Sequence, residues 1–188
     1  MAFSKWPYQY PKTESEGFRN AATFESWTQR YYAAIYRNTN QTLGGGGWSH
    51  IDFNTVYSAD DPLLFNTSIG GFGQYLAKAD GLYVAHGRCQ LQQNTVNNPQ
   101  RFIIAFWKND VEDINTIYGN EHEIRGGVSG DLWMLVVSGA IPMRKGETLA
   151  LRVFNGDGAG NSVTASASNR TVSMEVYRHG PHPGDLFR

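Results

Sequence analysis

The chain has 188 residues, 40% of them hydrophobic and 13% aromatic, enough for one domain with a full core plus an appendage. Its net charge is −1 with acidic and basic residues interspersed, so no basic stripe offers a phosphate footprint, which argues against nucleic-acid binding. The lone cysteine, Cys89, rules out an intrachain disulfide, and no apolar run has the length of a signal peptide or a membrane span.

Charged residues make up 18% of the chain, against about 25% in an average soluble domain. Two readings fit: a β-rich protein with an Asn, Gln, Ser and Thr surface, or a protein whose surface is partly covered by other subunits. Synthesis in a cytoplasm without Sec-type export is expected.

In chain order, residues 1–19 are rich in aromatic residues and punctuated by proline. Trp6-Pro7 and Tyr10-Pro11 favour extended backbone. Phe3, Trp6, Tyr8 and Tyr10 lie too close together for a free tail, so this zone is expected to be an anchor held by another protein. Residues 20–38 are predicted as a helix capped by Asn20, with Phe24, Trp27, Tyr31 and Ala34 at spacings of three and four. Such a stripe suits a short three-helix stalk or a helix lying on its own domain. Stalk and connector together span 20–43. Gly44 to Gly47 follow as a flexible joint, and no Lys-Ser/Thr pair makes them a phosphate loop.

From Trp48 the pattern is strand and turn, giving a head over 48–180 and a tail over 181–188. Ile51, Phe53, Thr55 and Tyr57 alternate with polar residues. Tyr75 to Tyr83 reads YLAKADGLY, and Asp80-Gly81 between alternating runs predicts a hairpin whose glycine supplies a positive φ. Runs follow at 101–107 and 131–137, then Leu149, Leu151 and Val153 on one face, and Val172, Met174 and Val176 on the last strand. Turn signals separate them, including Asn109-Asp110, Gly119-Asn120, Glu121-His122-Glu123 and Lys145-Gly146. Many short strands at this spacing predict an all-β antiparallel sandwich, jelly roll or barrel.

Two strands break the usual alternation. In 101–107, Phe102, Ile104 and Phe106 oppose Ile103, Ala105 and Trp107. In 131–137, Leu132, Met134 and Val136 oppose Trp133, Leu135 and Val137. A strand apolar on both faces must be covered on both. Cover from a neighbouring subunit or from the amino-terminal segment is therefore expected, and Phe102, Ile104, Trp133, Leu135, Val137 and Met174 are the interface candidates.

The YLAKADGLY segment resembles the aromatic-x-small-x-x-(Asp/Pro)-Gly-x-Tyr segment of the globular heads in the complement and tumour-necrosis-factor-like superfamily. FIIAFWKND is similar to that family's strand ending in a Lys-Asn turn. VSGDLWMLVVSGAIPMRKGETLALRVFNG resembles its strand, Lys/Arg-Gly-(Asp/Glu) turn, strand unit, with Arg144-Lys145-Gly146-Glu147 as the turn. SNRTVSMEVY resembles the closing strand, although Val172 and Met174 stand where an aromatic and a glycine are common. Together these segments cover roughly 48–178. The resemblance implies a trimeric, ten-stranded jelly-roll head that binds or builds rather than catalyses.

Such a head on a short stalk with an aromatic anchor looks like a bacteriophage tail, tail-tip or fibre protein. The expected localisation is the virion, with residues 1–19 joined to other virion proteins. A capsid decoration protein is the alternative, and a carbohydrate-active enzyme on a jelly-roll scaffold is the alternative of another class. The enzyme reading needs paired carboxylates facing one cleft, and here they sit singly in turns. Gly127-Val128-Ser129-Gly130 lacks a glycine that a nucleophile elbow needs, and His179 with His182 lacks further zinc ligands. No cofactor is expected; Asp60-Asp61 and Gly156-Asp157-Gly158 are the only calcium candidates. If the head meets a host cell-wall glycan or surface protein, the loops at 94–99, 109–113 and 155–161 are expected to do so, through Asn97, Asn98, Asp110 and Asp157.

Overall fold

The computed structural model describes residues 31–59, 65–66, 73–93, 100–109, 117–124, 132–156, 163–166 and 171–185. These residues form thirteen strands: β1 (Tyr32–Tyr36), β2 (Gln41–Leu43), β3 (Gly47–His50), β4 (Thr55–Ala59), β5 (Phe65–Asn66), β6 (Gln74–Leu76), β7 (Gly81–Gln93), β8 (Gln100–Lys108), β9 (Ile117–Ile124), β10 (Leu132–Met143), β11 (Thr148–Asn155), β12 (Val163–Ser166) and β13 (Ser173–Gly180). A single 3-10 turn follows at Pro183–Asp185.

Two antiparallel sheets face each other. The first runs β2-β12-β7-β13-β1-β4, with β10 on the other side of β7. The second runs β5-β6-β11-β8-β9, with β3 also pairing β11. Val172, Met174 and Val176 from one sheet meet Leu149, Leu151, Val153, Phe102, Ile104 and Phe106 from the other in one core. The sheets approach closely at Gly87. A Cβ added there would lie 2.7 Å from Leu151 Cδ1 and 3.1 Å from Phe106 Cζ.

Several expectations are corrected. Residues 32–36 are strand, not helix: Ala33, Ala34 and Ile35 are buried, and β1 pairs β13 from Tyr32↔Tyr177 to Tyr36↔Ser173. Pairing on both edges, with β13 and β4, outweighs the helical spacing of the aromatic residues. The sandwich therefore begins before residue 48. Residues 20–30 of the predicted helix and the segment 1–19 lie outside the described residues.

The four glycines are not a joint between parts. They carry the chain from β2 in one sheet to β3 in the other, with Gly46 at φ 76° donating to Asn155 O at 2.9 Å. Gly119-Asn120 and Glu121-His122-Glu123 are not turns either. They lie inside β9, where Gly119 pairs Ala105 and Glu121 pairs Ile103.

The Asp80-Gly81 hairpin is also corrected. Strand β6 belongs to the second sheet and β7 to the first, so the turn is a corner between sheets. Nor does Gly81 have a positive φ; among the described glycines only Gly46 and Gly146 do. Gly81 is needed for space. A Cβ there would stand 2.6 Å from Arg178 Nε and 2.8 Å from Gly180 O.

Candidate functional site

The outward face of the first sheet is built by the alternation of three long strands. On β7, Tyr83, Ala85, Cys89 and Leu91 are buried inward, so Val84, His86, Arg88 and Gln90 point outward. Register then carries the outward set across the sheet. Val136, Arg88, Ser173 and Tyr36 form one row, and Ser138, His86, Glu175 and Ala34 form the next. On β10, Leu132, Met134 and Val136 are 55%, 44% and 49% exposed. At the far edge, Tyr57 of β4 is exposed on this face as well, beside Ala34 and Tyr36.

Between these apolar edges lies a polar floor. Arg88 Nε donates to Ser173 Oγ at 2.8 Å, and the His86 ring stacks on Tyr177 with centroids 6.4 Å apart. Thr171 Oγ1 donates to Gln90 Oε1 at 3.0 Å. A cleft of about 300 Å³ opens over His86, Arg88, Val136, Ser138, Ser173 and Glu175. A second of about 110 Å³, by Tyr36 and Tyr57, shares Arg88, Ser173 and Glu175 with it. The arrangement offers apolar contact at both edges and side chains of both charges, Arg88 and Glu175, at the centre.

One end of the sandwich is closed by interlocked corners. Asp80 accepts from Lys145 N at 2.7 Å and from Arg144 Nη1 at 2.8 Å. These bonds, with the Lys145 N–H the larger cause, hold its carboxyl below the ordinary carboxylate range. Asn109, in the left-handed region at φ 55°, accepts from Thr148 N at 3.0 Å and donates to Glu147 at 3.3 Å. Gly146 at φ 90° completes the Arg144–Glu147 turn, closed by Glu147 N to Arg144 O at 3.0 Å. Backbone bonds between Ala77 and the Gly146-Glu147 pair then join the two corners. The segments quoted for the family resemblance thus meet in space.

Of the six interface candidates, Phe102, Ile104, Leu135, Val137 and Met174 lie in the core of the single chain, and Trp133 is half-buried against it. Their cover comes from the opposing sheet rather than from a second copy. The other face of β8 is covered within the chain too. Trp107 is 2% exposed, with Trp48 edge-on at 5.3 Å and the Arg152 guanidinium 3.8 Å above its ring. The uncovered apolar set is the opposite parity of β10, Leu132, Met134 and Val136.

Tyr31 packs partly buried against the core, and Ala34 sits on β1 rather than on a stalk. Phe24, Trp27 and the anchor residues Phe3, Trp6, Tyr8 and Tyr10 lie outside the described residues. So do Asn97, Asn98, Asp110 and Asp157, and both Asp60 and Asp61. Among the described residues no three His, Cys, Asp or Glu side chains come together as a metal would need. No helix among them is long and apolar enough to cross a membrane.

No family model matches the chain, and no curated protein matches it. Solved structures do. The structure of Eiger TNF from S. frugiperda matches with a TM-score of 0.55 and 10% identity, covering 81% of this chain and 95% of that one. The globular domain of zebrafish complement 1qA protein matches with a TM-score of 0.53 and 12% identity, covering 80% and 97%. At these identities the likeness is one of fold. The chain is an antiparallel jelly roll of the kind seen in tumour-necrosis-factor and complement globular heads.

Proposed function

We propose that this chain is a non-catalytic head that self-associates as a homotrimer through the outward face of its first sheet. The observation that carries this is the exposed stripe of Leu132, Met134 and Val136 on β10, next to the cleft over Arg88 and Glu175. Contiguous apolar surface of this kind marks a contact site. A second, different apolar edge, at Tyr57, lies across the same face beside Ala34 and Tyr36. Two unlike patches suit a heterologous contact that closes into a ring, and a three-fold ring is the closure the fold's trimeric heads support.

Sedimentation of the full chain tests it. The unaltered protein should run at three times the 21.0 kDa chain mass, and Met134→Glu with Val136→Glu should run as a folded monomer. Unaltered protein that stays monomeric at tens of micromolar would overturn the proposal.

In its finer form, the head is a bacteriophage virion protein made in the host cytoplasm and needing no cofactor. The aromatic segment 1–19 supports this reading, as an attachment to other virion proteins; the loops at 94–99, 109–113 and 155–161 would face the host. Antibody label at the tail tip supports a tail role, label over the capsid supports decoration, and virions without label refute both.

A further inference from the structure

We infer that the self-association face is opened by acid, with His86 as the sensing group. The inference rests on the homotrimer reading. His86 stands exposed on the floor of the 300 Å³ cleft, in the row that runs Ser138, His86, Glu175, Ala34. From β13 it faces Glu175 directly across the strand pair and the Tyr177 ring at 6.4 Å. From β10 it faces Ser138, with Val136 and Ala140 in the flanking rows, none of them ionisable in the accessible range. On β7 itself Arg88 stands two residues along on the same face, bonded to Ser173. Beyond β13, β1 contributes only Ala34 to this row.

The charges on this floor balance while the imidazole is neutral: Arg88 is +1 and Glu175 is −1. Protonation of His86 leaves each copy's floor with one unmatched positive charge. Alone in water that charge is solvated at little cost. Under a neighbouring copy it is not, and burying an uncompensated ion is costly. Copies around a symmetry axis also bring equal charges toward one another. Glu175 is a single carboxylate and can match only one of the two cations, Arg88 or a protonated His86. Histidine is the side chain that gains its charge on mild acidification, so the face opens there.

Linkage gives the size. If assembly excludes one proton per copy, the association constant falls by up to about tenfold per pH unit for each imidazole once pH is below its titration. For three copies, one pH unit can thus move the trimer constant by about a thousandfold.

The test is sedimentation of the full chain at pH 8, 6.5 and 5.5, with far-ultraviolet circular dichroism at each pH to confirm that the sheets persist. The inference expects a trimer at pH 8 and folded monomers at pH 5.5. His86→Gln should flatten this profile, so that its trimer fraction at pH 5.5 equals its own value at pH 8; His86→Asn serves if the glutamine fails to fold. His179→Gln, altering an exposed imidazole of β13 outside the cleft, should retain the full response. Monomer at pH 8 refutes the homotrimer reading and this inference with it. A trimer that survives or tightens at pH 5.5 refutes the inference alone, and so does a pH response that persists in His86→Gln.

Discussion

Replacing Gly81 with alanine separates two roles that a glycine in a turn can have. Were it there for a positive φ, asparagine would be the mildest replacement, since Asn tolerates the left-handed region. The structure gives it the other role. The added Cβ would meet Gly180 O at 2.8 Å, Arg178 Nε at 2.6 Å and Arg178 Cγ at 3.0 Å. Gly180 O cannot retreat cheaply, because Gly180 pairs Leu82 in the same sheet. Arg178 is 6% exposed and donates to Asp80 O at 3.0 Å, so displacing it strands a buried cation's donor. Overpacking costs about 1–3 kcal/mol, and loss of a hydrogen bond from a charged donor about 1.5–3 kcal/mol. Gly81→Ala should therefore destabilise by about 3 kcal/mol, lowering Tm by roughly 6–12 °C for a chain of this length. Gly81→Asn, bulkier still, should be at least as damaging. Thermal and urea unfolding of both variants measure this. An asparagine variant clearly more stable than the alanine variant would refute the steric reading.

Two further predictions concern titration. The Asp80 carboxyl is held below its ordinary value, so it contributes stability that is present above pH 4 and lost as pH falls through the folded value. Asp80→Asn should flatten the urea midpoint between pH 5 and pH 2, and an unchanged slope there would disprove the linkage. Burial pushes the Cys89 thiol up to about 12 and closes it to solvent. A thiol reagent at pH 8 should label it only at the rate of unfolding, accelerating in urea; fast labelling of native protein would contradict the burial.

The strand content was legible because the core strands keep period two where burial demands it. Leu149, Leu151 and Val153, and likewise Val172, Met174 and Val176, were assigned to single faces and are buried in the core. Turn chemistry was less informative about topology. Asp80-Gly81 and Lys145-Gly146 do mark the chain reversing, yet each joins strands of different sheets. Local φ preference cannot say which sheet the chain returns to; burial of the alternating apolar faces in one core does, and the Asp80 carboxylate then ties the corner to Arg144 and Lys145. Spacing also misled where pairing was strong, as at Ala33 to Ile35, which β13 and β4 hold extended.

The apolar face is the sharper case. The sequence shows 131–137 apolar on both sides, and the structure leaves one of those sides exposed at Leu132, Met134 and Val136. What period two could not supply was parity. The choice depends on β7, where Tyr83, Cys89 and Leu91 go inward and His86 and Arg88 outward, and on a register that sets Leu135 beside Cys89 and Val136 beside Arg88. Once that register is fixed, Trp133, Leu135 and Val137 belong to the core, and Leu132, Met134 and Val136 are left for something else. A shift of one residue would exchange the two sets and put Arg88's neighbour in the core. The face available for assembly is thus specified by a polar strand. His86, Arg88 and Gln90 point outward, so β10, apolar on both faces, turns one side out beside them.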